Sequence, residues 1–478
     1  MMHLQILNIW LSTWLSGLTA PPELYLVGGS VRDLLLNKVP ADIDIVCRGA
    51  QGVAEQLAAQ HHATVIQMEK KPYQPCYRVA DHLKALVKSP AYIDIAECRG
   101  SSIDDDLRLR DFTINAIAMW IKVNGASGAI IDPLDGAGDL LRRRVRMTHT
   151  QAFDNDPLRI LRAFRFAADL GFEIDEATLD AMKHAVPSLA GVSVERIMNE
   201  LFLTFRTPEA SSAVAALDSY GILDSIFPDI IMIKGCNQNG YHHKDVWGHS
   251  LLVVERLEDI LNNPGDYFDD AAAVFRNLET DARLPLLKLA ALLHDVGKPG
   301  TKGLNQETGR ITFKQHDRVG AERVDRIAKR MKLSGQARTF LVRMVREHLQ
   351  PIFLSAASGS SAARMRWFRQ MGDDAVPALI LSMADVMSSR GPLSGEEYRC
   401  GFVAWCRQQV NDYYVSVKTI LERQVLITGR DLMALGMTPG PQIGRILGQV
   451  KEAQDTGDIA SRDEALTLVR KLIEMYPS

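Results

Sequence analysis

The sequence predicts an α+β fold, with strands and helices alternating over residues 1–146 and helices thereafter. Two observations carry this. Short apolar runs (LYLV, IDIV, YIDIA, AIAMWI, and SGAIIDPLDG leaving through a turn) alternate with helical patterns in the first region. Beyond it the strand signals fade, and DPLRILRAFRFAADLGF, SVERIMNELFLTF and SSAVAALDSYGIL read as successive helices. Turn-rich KGCNQNGYHHKD marks a boundary, so the expected regions are 1–146, 147–235, 236–395 and 396–478.

A chain of 478 residues is too long for one ordinary core. Its 46% hydrophobic and 24% charged residues are those of a globular protein. A net charge of −3 excludes coating nucleic acid through bulk charge, so any polyanion site is a local basic patch. The six cysteines show no CxxC spacing, which fits reduced thiols in a cytoplasmic protein. At the N-terminus Leu4, Leu7, Leu11, Leu15 and Leu18 recur at helical spacing. That reads as an amphipathic helix packed on the first region, with a poor signal peptide the weaker reading. No segment reads as a membrane span.

The stretch LYLVGGSVRDLLLNKVPADIDIV concentrates unusual chemistry. Asp42 and Asp44 share one strand face, because side chains two apart point the same way. Two neighbouring carboxylates suit a hard cation such as Mg²⁺, which commonly bridges carboxylates to substrate phosphates. The pair Gly28–Gly29 stands between a strand and SVRDLLL, which reads as a helix, so backbone N–H groups and Arg32 face where a triphosphate fits. A lone Asp-x-Asp is common on acidic loops; the ordered set Gly-Gly-x-x-Arg-Asp then Asp-x-Asp is far more specific.

That set, LRDFTINAIAM, IIDPLDGAGDLLRRRVR, NDPLRILRAFRFAADLGF and ERIMNELF, taken in order, resemble the class II tRNA nucleotidyltransferase and bacterial poly(A) polymerase family. The resemblance implies a polymerase-β-like nucleotidyltransferase head (1–146) and a helical neck (147–235) that binds RNA and nucleotide. It implies that Asp42 and Asp44 coordinate two Mg²⁺ ions, one at the RNA 3′-hydroxyl and one at the triphosphate. Asp94 sits where a third strand carboxylate is expected, and Gly28, Gly29, Arg32, Arg110, Asp111 and Asn115 fall in the nucleotide-binding blocks.

NDPLRILRAFRF has two readings. In one, Asp156 caps a helix whose buried stripe is Leu158, Leu161 and Phe164, with Arg159, Arg162 and Arg165 as a solvated second stripe. In the resemblance, Asp156 and Arg159 imitate a Watson–Crick edge for the incoming base, and Arg162 and Arg165 contact nucleotide. Asn155 departs from the family, where many members carry glutamate. With Arg142, Arg143, Arg144 and Arg146 upstream, RNA phosphate contacts would explain the basic cluster.

Only GSSIDDDLRL separates Arg99 from Arg110, and Leu109 stands where the family usually has arginine. Members that build the whole CCA end generally carry a longer loop here; members that add only CC have it shortened. Full CCA addition and a partial activity both stay open at this point.

Between residues 242 and 390 the segments HHKDVWGHSLLVVERL, LLHDVGKPGT, FKQHDRVGAERV, VREHLQP and MADVMSSR resemble an HD-type phosphohydrolase domain. The implied ligands are His249, His294, Asp295 and Asp385 for one transition-metal ion, with His316 and His348 for a second. The HD domain is placed at 236–395 and a helical tail, for tRNA-body contacts or helix packing, at 396–478. The expected partners are tRNA, CTP and ATP, with no membrane. Poly(A) polymerase is the nearest rival, and an HD phosphohydrolase with a nucleotide- or RNA-binding head is the alternative of a different class.

Overall fold

A computed structural model describes residues 11–19, 21–40, 42–68, 74–80, 92–122, 127–356 and 360–475. The backbone gathers into two units, residues 1–209 with 219–226, and residues 210–218 with 227–478. The expected head lies within the first unit, and the expected HD region and tail lie within the second. Residues 147–235 contribute to both.

The first unit is built on a seven-stranded sheet of order β3-β4-β5-β2-β1-β6-β7. Its strands are β1 (Leu24–Val27), β2 (Ile43–Cys47), β3 (Thr64–Met68), β4 (Cys76–Ala80), β5 (Tyr92–Glu97), β6 (Ala118–Ile121) and β7 (Ser127–Ile131). Among the described pairings of this sheet β2 and β5 alone run parallel, and that pairing sets Asp44 opposite Asp94. Ile43, Ile45, Ile93 and Ile95 are buried, so the alternating pattern of both strands puts aspartate on one face and isoleucine on the other.

Helix α1 (Gly29–Leu35) starts directly after β1, and α2 (Ala50–His61) buries Val53, Ala54 and Leu57 beside β4 and β5. Residues 11–15 are helical, and Leu11, Leu15 and Leu18 are buried as expected. Trp14 stacks on His61 with ring centroids 4.4 Å apart, which anchors that segment; Leu4 and Leu7 lie outside the described residues. Helices α3 (Ile103–Arg108), α4 (Gly136–Leu141), α5 (Ala152–Asn155), α6 (Arg159–Leu170), α7 (Glu176–Ala185) and α8 (Val194–Phe205) complete this unit's main elements.

In the second unit, α9 (Val246–Asn262), α10 (Arg283–Leu293), α11 (His316–Arg330), α12 (Gly335–Glu347) and α13 (Ala375–Ser388) pack on one another. A ribbon of β8 (Lys302–Leu304) and β9 (Ile311–Phe313) interrupts them. Helix α13 is buried on nearly every side from Ala375 to Val386, which explains its almost wholly apolar sequence. The tail helices α14 (Gly429–Ala434), α15 (Pro441–Thr456) and α16 (Arg462–Met475) share a small core of Leu432, Ile446, Val450 and Val469. Among the described residues no helix is long and apolar enough to cross a membrane.

Candidate active site

The Gly28–Gly29 turn and the two aspartates are joined by Ser30. Its hydroxyl donates to the Asp42 carbonyl at 3.0 Å and accepts the Asp44 N–H at 2.9 Å. Asp42 stands at the bend before β2, and Asp44 is on the strand itself. Gly28 has φ +66°, and a Cβ there would lie 3.0 Å from Arg110 Nη1 and 3.8 Å from Asp44 Oδ2. Glycine therefore satisfies both the left-handed backbone and the close approach of Arg110.

A cavity of about 430 Å³ opens over this sheet face. Asp44 and Asp94 line it together with Arg99, Arg110, Asp111, Asp156, Arg159, Arg162, Arg196 and Glu200. The structure thus brings the Asp-x-Asp strand and the expected base-reading residues to one cavity. Asp94 is buried, and both its oxygens are held by Arg78 at 2.8 Å. Arg78 itself lies 3.7 Å from the centroid of the Tyr92 ring.

Arg32, expected near phosphates, is buried, bonded to Asn115 Oδ1 and Asp33 and 5.2 Å from the Phe166 ring centroid, with its Nη2 3.6 Å from where a Cβ on Gly29 would stand. Asn115 continues to Asp111 Oδ1 at 3.2 Å, and Asp111 Oδ2 accepts both Nε and Nη2 of Arg162. Burial alone would raise the Asp111 carboxyl, but Arg162 and Arg159 outweigh it and hold the group well below its ordinary range.

Helix α6 corrects the capping reading. Leu158, not Asp156, precedes the first helical residue, and no side chain caps the helix. Asp156 is extended, and both its oxygens accept Arg196 Nη2 at 2.9 Å. Leu158, Leu161 and Phe164 form the buried stripe as expected. The arginine stripe is not solvated: Arg162 reaches Asp111 and Glu200, and Arg165 donates to Glu200 at 2.7 Å. Arg159 is buried and donates to the carbonyls of Ala152 and Leu109.

Arg196 and Glu200 lie in the block ERIMNELF, yet sequence reasoning gave them no role. Their spacing of four on one helix, facing arginines spaced by three on another, is the signal that could have found them.

The upstream arginines are also consumed locally. Arg142 pairs with Asp135 and Asp139, Arg146 with Asp139, and Arg144 with Asp175, while Arg143 donates to the Gly171 carbonyl. These pairs brace a turn, while Arg142, Arg143 and Arg144 remain exposed.

In the second unit, five segments bring histidines and aspartates together. His249 is on α9, His294 and Asp295 directly follow α10, His316 begins α11, His348 follows α12 and Asp385 is on α13. Asp295 Oδ2 lies 3.0 Å from His294 Nε2 and 3.8 Å from His249 Nε2. Its Oδ1 lies 3.3 Å from His316 Nε2 and 4.0 Å from His348 Nε2. One carboxylate therefore stands between two histidine pairs, with ligand atoms close enough in each group for one ion.

These are ion-pair distances without hydrogen-bond angles: Nε2 of His294, His316 and His348 and both Asp295 oxygens have no hydrogen-bond partner. Nδ1 of the same three histidines lies 2.7–2.9 Å from the carbonyl three residues earlier. That contact assigns the proton to Nδ1 and leaves Nε2 as the lone-pair donor. Asp385 Oδ1 is 2.9 Å from His249 Nε2, and Lys298 Nζ is 2.7 Å from Asp295 Oδ2. Burial, with His294 and His316 nearby, pushes the His348 imidazole down to about 4. Buried orphan donors of this kind fit a transition-metal centre.

Comparison with known proteins covers both regions of the chain. The model of the poly A polymerase head domain matches residues 24–146. That of the probable RNA and SrmB-binding site of polymerase A matches 171–233, and the HD domain matches 246–390. An A-adding tRNA nucleotidyltransferase of Deinococcus radiodurans is 32% identical over 469 residues, covering 96% of this chain and 97% of the relative. A CC-adding tRNA nucleotidyltransferase of Thermus thermophilus is 29% identical, covering 93% and 92%.

Among solved structures, a CCA-adding enzyme in its apo form superposes with TM-score 0.63 at 23% identity, over 98% of this chain and 94% of that one. A Thermotoga maritima CCA-adding enzyme complexed with tRNA gives 0.59 at 22%, over 98% and 95%. These two establish likeness of fold. The identity to the Deinococcus relative, sustained along nearly the whole of both chains, places this protein in the tRNA nucleotidyltransferase family.

Proposed function

We propose that this chain adds CMP from CTP to tRNA 3′ ends, stopping after CC, and releases pyrophosphate. The observation that carries the reading is the single cavity in which Asp44 and Asp94 meet Arg110, Asp156 and Arg159. Asp42 and Asp44 would hold Mg²⁺, with Asp94 contributing a third carboxylate once Arg78 yields one of its oxygens. When bound, Mg²⁺ neutralises triphosphate charge and favours attack by the 3′-hydroxyl. Gly28, Gly29 and Arg110 receive the phosphates, and Arg32 holds Asn115 and Asp111 in place behind them.

Base choice follows from donors and acceptors. Cytosine offers an amino donor beside a ring-nitrogen acceptor, and adenine does the same. The Asp156 carboxylate accepts from the amino group and Arg159 donates to the ring nitrogen. Uracil and guanine present the opposite pattern at these positions and leave buried polar groups unmatched.

Choice of C over A rests on the connector after β5. Cys98–Ser102 passes directly into α3, which Ser102 and Asp105 close with a capping box. Arg48 donates to the carbonyls of Gly100 and Ser101 at 3.1 and 2.6 Å. No long arm is available between Glu97 and α3 to convert a cytosine site into an adenine site.

The test is incubation with Mg²⁺, each labelled nucleoside triphosphate, and tRNAs ending before, within or after CC. Two CMP additions and arrest are expected. Addition of AMP to tRNA ending in CC would replace this reading with A or CCA addition; long A tails on generic RNA would make the protein a poly(A) polymerase.

The Asp295 arrangement supports a second activity in the HD region. His249, His294, Asp295 and Asp385 would hold one divalent transition-metal ion, and His316, His348 and Asp295 a second. The adjoining cavity, about 610 Å³, is lined by Lys298, Tyr241 and Tyr398 among others, which suits a phosphoester. Metal-activated water would supply the nucleophile for hydrolysis. Colourless apoprotein that binds no Co²⁺ or Ni²⁺, and hydrolyses no phosphoester with them, would remove this reading.

A further inference from the structure

We propose that Arg99 sets the discrimination between CTP and ATP by fixing the orientation of Arg159 through the Leu109 carbonyl and Asp106. The inference rests on the base-reading role proposed for Arg159 and adds the residue that positions it.

Arg99 engages the end of α3 at every donor the geometry allows. Its Nε donates to Asp106 Oδ1 at 2.8 Å, Nη2 to the Asp106 carbonyl at 2.9 Å, and Nη1 to the Leu109 carbonyl at 3.2 Å. Its own backbone N–H adds a 3.2 Å bond to Asp106 Oδ1. A guanidinium at the C-terminus of a helix meets the negative end of the dipole, and the Asp106 carbonyl accepts the Leu109 N–H as well as Arg99. Arg99 therefore locks α3, and with it the peptide at Leu109.

That peptide is shared. Arg159 Nη2 donates to the same Leu109 carbonyl at 2.9 Å, and its Nη1 donates to the Ala152 carbonyl at 3.2 Å. These carbonyls are the hydrogen-bond acceptors seen for Arg159, so its direction is set by two peptide groups, one of which Arg99 holds. Burial works against the Arg159 cation, Asp111 and Asp156 favour it, and neighbouring Arg99 and Arg162 oppose it. Its direction nonetheless follows the two carbonyls that accept its hydrogen bonds.

Asp106 has no exposed surface and also accepts Arg110 Nε at 3.0 Å. One buried carboxylate thus ties the phosphate-facing arginine to the residue that fixes the base-facing one. The two variants therefore differ in reach. Loosening Arg99 frees Arg159 to swing and accept either base, whereas neutralising Asp106 loosens Arg99 and Arg110 together, so it changes base choice and also weakens both nucleotides.

The experiment measures kcat/KM for CTP and ATP on one tRNA lacking its CCA end. Arg99→Ala should lower the CTP-to-ATP ratio by about tenfold, the scale of one lost orienting contact. Arg99→Lys keeps the charge beside Asp106 but cannot reach both carbonyls, so its ratio should fall between wild type and Arg99→Ala. Asp106→Asn, which weakens the hold on both Arg99 and Arg110, should lower the ratio and also lower kcat/KM for CTP more than Arg99→Ala does. Should Arg99→Ala fail to fold, Arg99→Lys decides by the same ratio. An unchanged ratio in a folded Arg99 variant, or parallel losses for both nucleotides, would overturn the proposal. Wild-type protein that incorporates neither nucleotide would instead overturn the base-reading assignment on which it stands.

Discussion

Arg196 Nη2 holds both carboxylate oxygens of Asp156 at 2.9 Å, across 40 residues of sequence. The proposed base reader is thus already aligned by a second helix before a nucleotide arrives, which reduces the ordering required on binding. Arg196→Ala should raise KM for CTP by about tenfold, the loss expected for one charge-assisted contact. KM for tRNA should stay unchanged. Steady-state kinetics with each substrate varied in turn checks this, and a rise in KM for tRNA alone would contradict it.

Replacement of Asp42 and Asp44 by alanine should abolish nucleotide addition, a loss on the order of a thousandfold or more for a missing metal clamp. Phosphoester hydrolysis by the HD region should persist in the same protein. Parallel assays on one preparation separate the two activities, and surviving nucleotide addition would remove the metal role from these carboxylates.

Acid should act on the first unit through its paired carboxylates. Burial works against ionised Asp106, but Arg110 and Arg99 hold its carboxyl below the ordinary value; Arg162 does the same for Asp111. A depressed carboxyl stabilises the fold fully above its unfolded value, about 3.9, and that contribution is lost as pH falls toward the folded value. Melting temperature should therefore fall steeply below about pH 4. In Asp111→Asn the acid-induced fall should be shallower, because one of the titrating groups is gone. Thermal melts of both proteins between neutral and acid pH test the sign.

In the HD region, apoprotein should take up two Co²⁺ ions per chain, visible by absorption titration. His348→Ala should retain one, because His249, His294 and Asp385 are untouched. A chelator should lower the melting temperature of the wild type. Uptake of a single ion by wild type would restrict the site to the first ligand group.

Residues fixed in order by the chain were legible in the sequence: the glycine turn, Asp42 and Asp44 around Ile43, and the His294–Asp295 pair. Residues defined by distant partners were not. Asp156 resembles a helix cap locally, and only the fold reveals Arg196 as its partner. The arginines from 142 to 146 read as one basic cluster, and only the fold reveals Asp135, Asp139 and Asp175 as partners of Arg142, Arg144 and Arg146. Strand β3 gave no signal because it is an edge strand whose residues are all at least partly exposed, so burial imposes no alternation. Asp106 sits in an acidic run that reads as solvated, yet it is the buried one of the three.

The parallel pairing of β2 with β5 acts as a ruler. Asp44 and Asp94 face each other only in the register Ile43 to Ile93. A slip of one residue would turn one carboxylate to the opposite face while preserving most backbone bonds. The same slip would carry the buried isoleucines of that strand out of the core. The packing that stabilises the sheet therefore also enforces the alignment of the two carboxylates, and a register error would cost stability and catalytic titre together.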